Sequence, residues 1–246
     1  MKATFDARGD VIVITGGANG IGRALALAAS KAGAQVVVCD MDEAAMADLA
    51  AQTPAIATRK LDVSNQGAVA ATFSEIESRY GAIDGLVCGA AIQPRTAIHE
   101  MAAAEWEKVI AVNLNGVVWC YQAAIGGMIR RRRGSIVAFS SGLALQGWSK
   151  ASAYAATKAG LIAFLKSAGK EVAEHRVRVN VVWPGVIDTL QYRAANPGQE
   201  NEGWKNSLGV GSPEDVVGPL MFLLSDAATM SASVLSRDMA YPRDEA

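Results

Sequence analysis

The segment VIVITGGANGIGRALALAASKAG, residues 11–33, constrains this chain more than any other. A run of β-branched residues ends at Thr15, glycines follow at Gly16, Gly17, Gly20 and Gly22, and an alanine- and leucine-rich helical pattern begins. A continuous apolar run suits a strand buried on both faces, the condition of a parallel sheet. The glycines let the backbone turn sharply and approach a pyrophosphate with no Cβ in the way. The helix start then offers free N–H groups and the positive dipole end to phosphate. A strand before and a helix after are the context that makes such a cluster a dinucleotide-binding fingerprint. A tight strand-to-helix turn without a ligand is the plainer alternative.

The rest of the chain repeats the alternation. Strands are expected at 11–15, 35–39, 55–60, 83–88, 135–139 and 178–182, with helices at 20–32, 43–52, 66–80, 103–132 and 152–173. This predicts an α/β fold: one Rossmann domain over residues 1–246, with a doubly wound parallel sheet of about seven strands and helices on both faces. The polar stretch 188–211, containing NPGQENEG, reads as a substrate lid. In SPEDV, Ser212 caps a further helix, Pro213 takes its first turn and Asp215 closes the box.

Bulk chemistry excludes several function classes. The formal net charge is −1, so no overall field draws in nucleic acid or an anionic membrane. Arg130–Arg133 closes an apolar stretch before Gly134 and reads as a helix C-terminus. Cys39, Cys88 and Cys120 are odd in number and widely spaced, as free thiols in a reducing, cytoplasmic compartment would be. His99 and His175 lie far apart with no cluster around them, so no metal site is expected. The first residues carry neither a signal peptide nor a membrane span.

Two further features bear on chemistry. Asp40 follows the second strand, twenty residues after Gly20. A carboxylate there accepts from ribose hydroxyls and repels a 2′-phosphate. Its neighbours are Cys39 and Met41, and the glycine loop carries Asn19 rather than a base, so NAD is expected over NADP. Capping the next helix is the other role open to Asp40. Asp62 and Val63, ending the third strand, either frame the adenine or form a turn. Tyr154 and Lys158 stand at i and i+4, one turn apart on one helix face. A free tyrosine, with a pKa of about 10, is a poor base near neutrality. A nearby ammonium favours the phenolate and moves it toward the useful range.

These motifs together resemble the short-chain dehydrogenase/reductase family along nearly the whole chain. The resemblance rests on TGGANGIG at 15–22, Asn113 in VNLNG, IVAFSS ending at Ser141, YAATK at 154–158, and NVVWPG at 180–185 followed by Thr189. It implies a catalytic tetrad of Asn113, Ser141, Tyr154 and Lys158. Ser141 would bind the substrate oxygen, Tyr154 exchange the proton, Lys158 orient the ribose and Asn113 support a relay water. The implied cofactor contacts are Gly16, Asn19, Gly20, Ile21, Gly22, Asp40, Met41, Asp62, Val63, Ala90, Tyr154, Lys158, Pro184, Gly185, Ile187 and Thr189. Ser140 competes with Ser141, although the thirteen-residue gap to Tyr154 favours Ser141. Two departures stand out. The family's NNAG is CGAA at 88–91, and its TGQ…VDGG ending is SASVLSRDMAYPRDEA, which unsettles the expected homotetramer and leaves a dimer open.

The resemblance also places Gln93, Leu143, Trp148, Trp183, Leu190 and Tyr192 around the substrate. Two tryptophans would give an apolar wall, unless they pack in the core or at a subunit contact. The expected activity is NAD-dependent interconversion of a hydrophobic or cyclic secondary alcohol and its ketone, with direct hydride transfer at nicotinamide C4. The alternatives are an NADPH-dependent 3-oxoacyl carrier-protein reductase and a non-catalytic nucleotide sensor. The expected partner is a small molecule, not nucleic acid or membrane.

Overall fold

The computed structural model describes residues 3–198 and 210–237. Seven strands form one sheet: β1 Val11–Thr15, β2 Gln35–Asp40, β3 Ile56–Lys60, β4 Gly85–Cys88, β5 Gly134–Phe139, β6 Val177–Trp183 and β7 Val234–Ser236. Their order is β3-β2-β1-β4-β5-β6-β7 and every pairing is parallel. Chain direction across the sheet reverses between β1 and β4, and such a switch point opens a crevice at the carboxyl ends of the strands.

Helices cover both faces, as the apolar strand runs require. The helices α1 Gly20–Lys31, α2 Glu43–Gln52, α3 Gln66–Tyr80, α4 Ala103–Ile110 and α5 Gly116–Arg131 precede α6 Leu143–Gln146, α7 Ser152–Glu171, α8 Leu190–Ala195 and α9 Glu214–Leu224. On one face, Phe73 and Ile76 of α3, Cys120 and Met128 of α5, and Leu161 and Leu165 of α7 pack against Val13, Leu86 and Val179. On the other, Leu25 of α1, Leu49 of α2 and Leu220 of α9 pack against Ile14, Val38 and Val137. Each fully buried side chain of this size contributes about 1.5–3 kcal/mol. The three cysteines are buried and free.

The expected helix 103–132 is a more complex object. Its path is unbroken, but Ala111–Asn115 forms a π turn, and Gly116 N–H reaches back to Ala111 O. The cause is Asn113. Its Oδ1 accepts from Ile92 N–H at 2.8 Å and its Nδ2 donates to Ile92 O at 2.8 Å, so its amide serves the segment after β4 rather than its own helix. By length and apolarity the Ala103–Arg131 stretch could cross a membrane, yet its α5 part packs on α3 and the sheet.

Other ends follow the sequence closely. Arg132 closes α5 in the left-handed region, and the arginines that follow bind locally: Arg131 to Ile83 O, Arg132 to Glu174 O and Arg133 to Asp10. Asp215 accepts from both Ser212 N–H and Ser212 Oγ, and α9 begins one residue later than expected, at Glu214. The altered C-terminal segment still adds a strand, but β7 has only three residues. The expected lid yields the short helix α8, whereas 199–209 lie outside the described residues.

The tightest packing lies at the glycine turn. A Cβ on Gly22 would stand 2.3 Å from Gly16 O, a backbone atom that cannot yield. Gly22→Ala is therefore expected to cost about 1–3 kcal/mol or more, as other overpacked sites do. A urea-unfolding midpoint equal to wild type would contradict this reading of the turn.

Candidate active site

A cleft of about 950 Å³ runs along the carboxyl ends of the strands across the switch point. At one end, β1 leads into α1. Gly16 adopts φ +66° and Gly20 φ +52°, the left-handed region that glycine reaches without strain. Asn19 precedes α1 without capping it, because its Nδ2 donates instead to Asp42 Oδ2 at 3.0 Å. The first turn of α1 holds no acid, and Gly20, Ile21 and Gly22 border the cleft. An uncapped helix start facing a cleft fits a pyrophosphate.

Asp40 ends β2 on the same cleft. Its Oδ2 accepts from Ala18 N–H at 3.0 Å, and its Oδ1 from Met41 N–H at 2.7 Å and Asp42 N–H at 3.1 Å. Asp42, not Asp40, caps α2 through Ala45 N–H. Asp40 is thus held as a rigid acceptor. Two cations lie nearby: Arg23, whose guanidinium is engaged by Ala18 O, Ala45 O, Asp48 and Gln52, and Lys60, which stands opposite Asp40 in the β2–β3 register and pairs with Glu43. Asp62 forms a local turn with Ser64 and still borders the cleft beside Val63.

At the other end, the start of α7 faces the tip of β5. Tyr154 and Ser141 both border the cleft, and the Ser141 hydroxyl lies near enough to the phenol to pull its pKa down. Lys158 Nζ lies 5.5 Å from the Tyr154 ring centre and donates to Phe139 O at 2.8 Å. Ser140 is buried and donates to Lys158 O at 2.8 Å, which makes it the strut and leaves Ser141 in the cleft with Tyr154. Asn113 is fully buried behind the wall. Its Nδ2 also reaches Thr157 Oγ1 at 3.4 Å, and Thr157 donates to Tyr154 O at 2.7 Å. Asn113 therefore ties the loop after β4 to the turn carrying Tyr154, and its side-chain bonds go to Ile92 and Thr157 rather than to Lys158.

The electrostatics run against one expectation. Burial pushes the Tyr154 phenol up to about 12, outweighing the Ser141 hydroxyl and the Arg95 charge that pull it down. Burial likewise pushes the Lys158 ammonium down to about 8. In the folded protein the pair is a neutral phenol beside a weakened ammonium.

The model of the short chain dehydrogenase family matches residues 10–200. The chain belongs to the short-chain dehydrogenase/reductase family. Among its relatives, the 3-oxoacyl-(acyl-carrier-protein) reductase FabG of Chlamydia trachomatis serovar D is 35% identical, covering 92% of this chain and 94% of that one. The cis-4-hydroxycyclohexanecarboxylate dehydrogenase of Sinomonas cyclohexanicum is 34% identical, covering 94% and 96%. A short-chain type dehydrogenase/reductase from Mycobacterium marinum superposes with a TM-score of 0.89 at 29% identity, covering 96% and 97%. The protein is accordingly an oxidoreductase of the alcohol–ketone type, served by a nicotinamide cofactor and acting on small molecules.

The residues assigned to the cofactor by resemblance, from Gly16 to Thr189, all border the cleft, and so do Gln93, Leu143, Trp148, Leu190 and Tyr192. Trp183 does not. Along β6 it follows Val177, Val179 and Val181 onto the face covered by α3, α5 and α7, as the two-residue period of a strand dictates. Among the described residues the apolar wall therefore holds one tryptophan, Trp148. Arg95, Lys108, Gln191, Asn196 and Arg237 also border the cleft and were not expected. Two of them had a signal: Gln191 lies between Leu190 and Tyr192, and Arg95 stands two residues after Gln93, and the resemblance places Leu190, Tyr192 and Gln93 around the substrate. Arg237 is brought in by β7, its Nη1 donating to Pro184 O at 2.9 Å.

The buried lysine makes stability depend on pH. Its folded pKa, about 8, lies below the ordinary lysine value of 10.5, so between those values the unfolded chain binds more protons. Stability then rises with pH through this window. Relative to Lys158→Met, wild type is expected to gain about 1–3 kcal/mol between pH 8 and 10.5 in urea unfolding. Parallel pH profiles would overturn the assignment.

Proposed function

We propose that this short-chain dehydrogenase interconverts a secondary alcohol and its ketone with NAD, using Ser141, Tyr154 and Lys158. The observation that carries this reading is the meeting of Ser141, Tyr154 and Lys158 on one cleft, with Lys158 Nζ 5.5 Å from the Tyr154 ring centre. The bound nicotinamide would supply a hydride donor and acceptor. The chain's own part is to hold and move a proton. The two hydroxyls can receive the substrate oxygen together. The Tyr154 phenol, kept protonated by burial, is ready to donate to a ketone oxygen. Alcohol oxidation needs the phenolate, which Lys158 stabilises by charge. Asn113 acts as a positioning residue through Thr157. Tyr154→Phe is expected to lower kcat/KM by about 10²–10⁴-fold in both directions, read from the absorbance of the reduced cofactor. A loss under tenfold would remove Tyr154 from the chemistry.

The preference for NAD is supported by Asp40, fixed by three backbone N–H groups, and by the engagement of Arg23 elsewhere. A 2′-phosphate would meet a carboxylate, with the nearby cations Arg23 and Lys60 already paired to acids. Like-charge contact of this kind costs several kcal/mol, so NAD should exceed NADP by about 100-fold or more in kcat/KM. Asp40→Ala should narrow that ratio by at least about tenfold. Equal use of both cofactors by wild type would sink the argument.

An apolar, cyclic substrate is supported by Leu143, Trp148 and Leu190 on the cleft, the last two 54% and 65% exposed. It is also supported by the Sinomonas relative, whose name places a hydroxyl on a cyclohexane ring. A second reading, reduction of a 3-oxoacyl group on a carrier protein, draws on the chlamydial relative. The Arg130–Arg133 run adds little to it, since Arg131, Arg132 and Arg133 are used within the fold. Exposed Trp106 on α4 and partly buried Trp119 on α5 support a homo-oligomer, a tetramer before a dimer. Free, buried thiols support a cytoplasmic setting.

A further inference from the structure

Arg95 stands in the loop after β4 and borders the cleft near Tyr154. Two of its nitrogens are occupied. Nε donates to Ala195 O at 3.1 Å, and Nη2 to Asn196 Oδ1 at 3.0 Å, so the end of α8 holds the guanidinium in place. Nη1 is different: it is buried and has no hydrogen-bond partner among the described residues. Buried donors are nearly always paired, and a charged one left unpaired is costly.

No carboxylate accounts for the charge either. The groups acting on Arg95 are the phenols of Tyr154 and Tyr192, and it takes part in none of the ion pairs among the described residues. Burial pulls its pKa below the usual value, yet a guanidinium remains charged at neutral pH. The surroundings divide in two. Gln93, Gln191 and Asn196 lie with Arg95 on the polar side, and Lys108 adds a second cation to the same wall. Leu143, Trp148 and Leu190 are among the apolar residues on the same cleft.

We propose that Arg95 is a specificity-determining residue whose guanidinium, turned so that the enclosed Nη1 meets the cleft, receives a carboxylate of the substrate, so that the substrate is an apolar hydroxy acid or oxo acid rather than a neutral alcohol. The inference rests on the alcohol–ketone reading of the Tyr154 site and narrows it. The carboxylate would supply the missing acceptor and a countercharge in one group. A guanidinium is suited to this because its donors are planar and permanently charged. The substrate's ring or chain would then lie on Trp148 and Leu190.

The test compares 3-hydroxycyclohexanecarboxylate with its methyl ester, each with NAD and with NADP. Wild type is expected to favour the acid by about 10–100-fold in kcat/KM, the scale of one charge-assisted hydrogen bond. Arg95→Gln should bring the ratio near one, and Arg95→Lys should keep part of it. The ratio separates recognition from any general effect of Arg95 on Tyr154, which would move both substrates alike. Calorimetric titration of cyclohexanecarboxylate, which cannot react, gives a readout free of turnover. Binding to wild type and its loss in Arg95→Gln support the proposal even if no alcohol turns over, in which case only the alcohol–ketone reading falls. Should Arg95→Gln unfold, because Arg95 also ties down α8, the wild-type ratio and Arg95→Lys decide. An ester used as well as the acid by wild type overturns the proposal.

Discussion

The contact on which the molecule depends is the meeting of two backbones at the switch point. A Cβ on Gly16 would lie 2.5 Å from Ala90 N, one on Gly89 2.8 Å from Thr15 O, and one on Gly22 2.3 Å from Gly16 O. The tips of β1 and β4 and the start of α1 therefore touch main chain to main chain. Only that closeness lets α1 open directly onto the cleft. It also gives a physical reading of CGAA at 88–91: an asparagine side chain at Gly89 would have to displace the end of β1, whereas glycine lets its N–H bond Thr15 O at 2.9 Å.

A second linkage runs from that contact to the chemistry. The loop leaving β4 carries Ile92 to Asn113, and Asn113 passes the constraint through Thr157 to the turn that holds Tyr154. The π turn is the structural expression of this linkage, because a regular helix would leave the Asn113 amide on its own turn. Such turns recur at functional sites. One buried amide thus connects the phosphate end of the cleft to its proton-handling end. Beside it, Ser140 and Lys158 stitch β5 to α7. Lys158 is held by a backbone carbonyl of the sheet and Ser140 by one of α7.

The strand runs were legible because a parallel sheet covered on both faces needs continuous apolar segments, and these stand out from the helical patterns between them. The strand at 234–236 was not, since three residues carry no period and its pairing to β6 is a long-range event. Asp40, Tyr154 and Lys158 stood out by their spacing to strands and to each other, whereas Asn113 and Ser141 came from the family resemblance. The choice between Ser140 and Ser141 needed the fold, which turns one hydroxyl onto Lys158 O and the other onto the cleft.

Local sequence determined what is periodic or chemically explicit: the alternation of strand and helix, the glycine turn, the carboxylate after β2, and the tyrosine and lysine one helical turn apart. The tertiary structure alone decided which groups share an environment. Trp183 left the pocket because strand parity turned it to the opposite layer. Tyr154 became a protected phenol because its desolvation outweighs the hydroxyl and charge that favour the phenolate. Arg95 came to border the cleft with one N–H unpaired because α8, a hundred residues on in the chain, holds its other nitrogens. Burial and the meeting of distant segments are properties of the packed chain, and no local pattern encodes them.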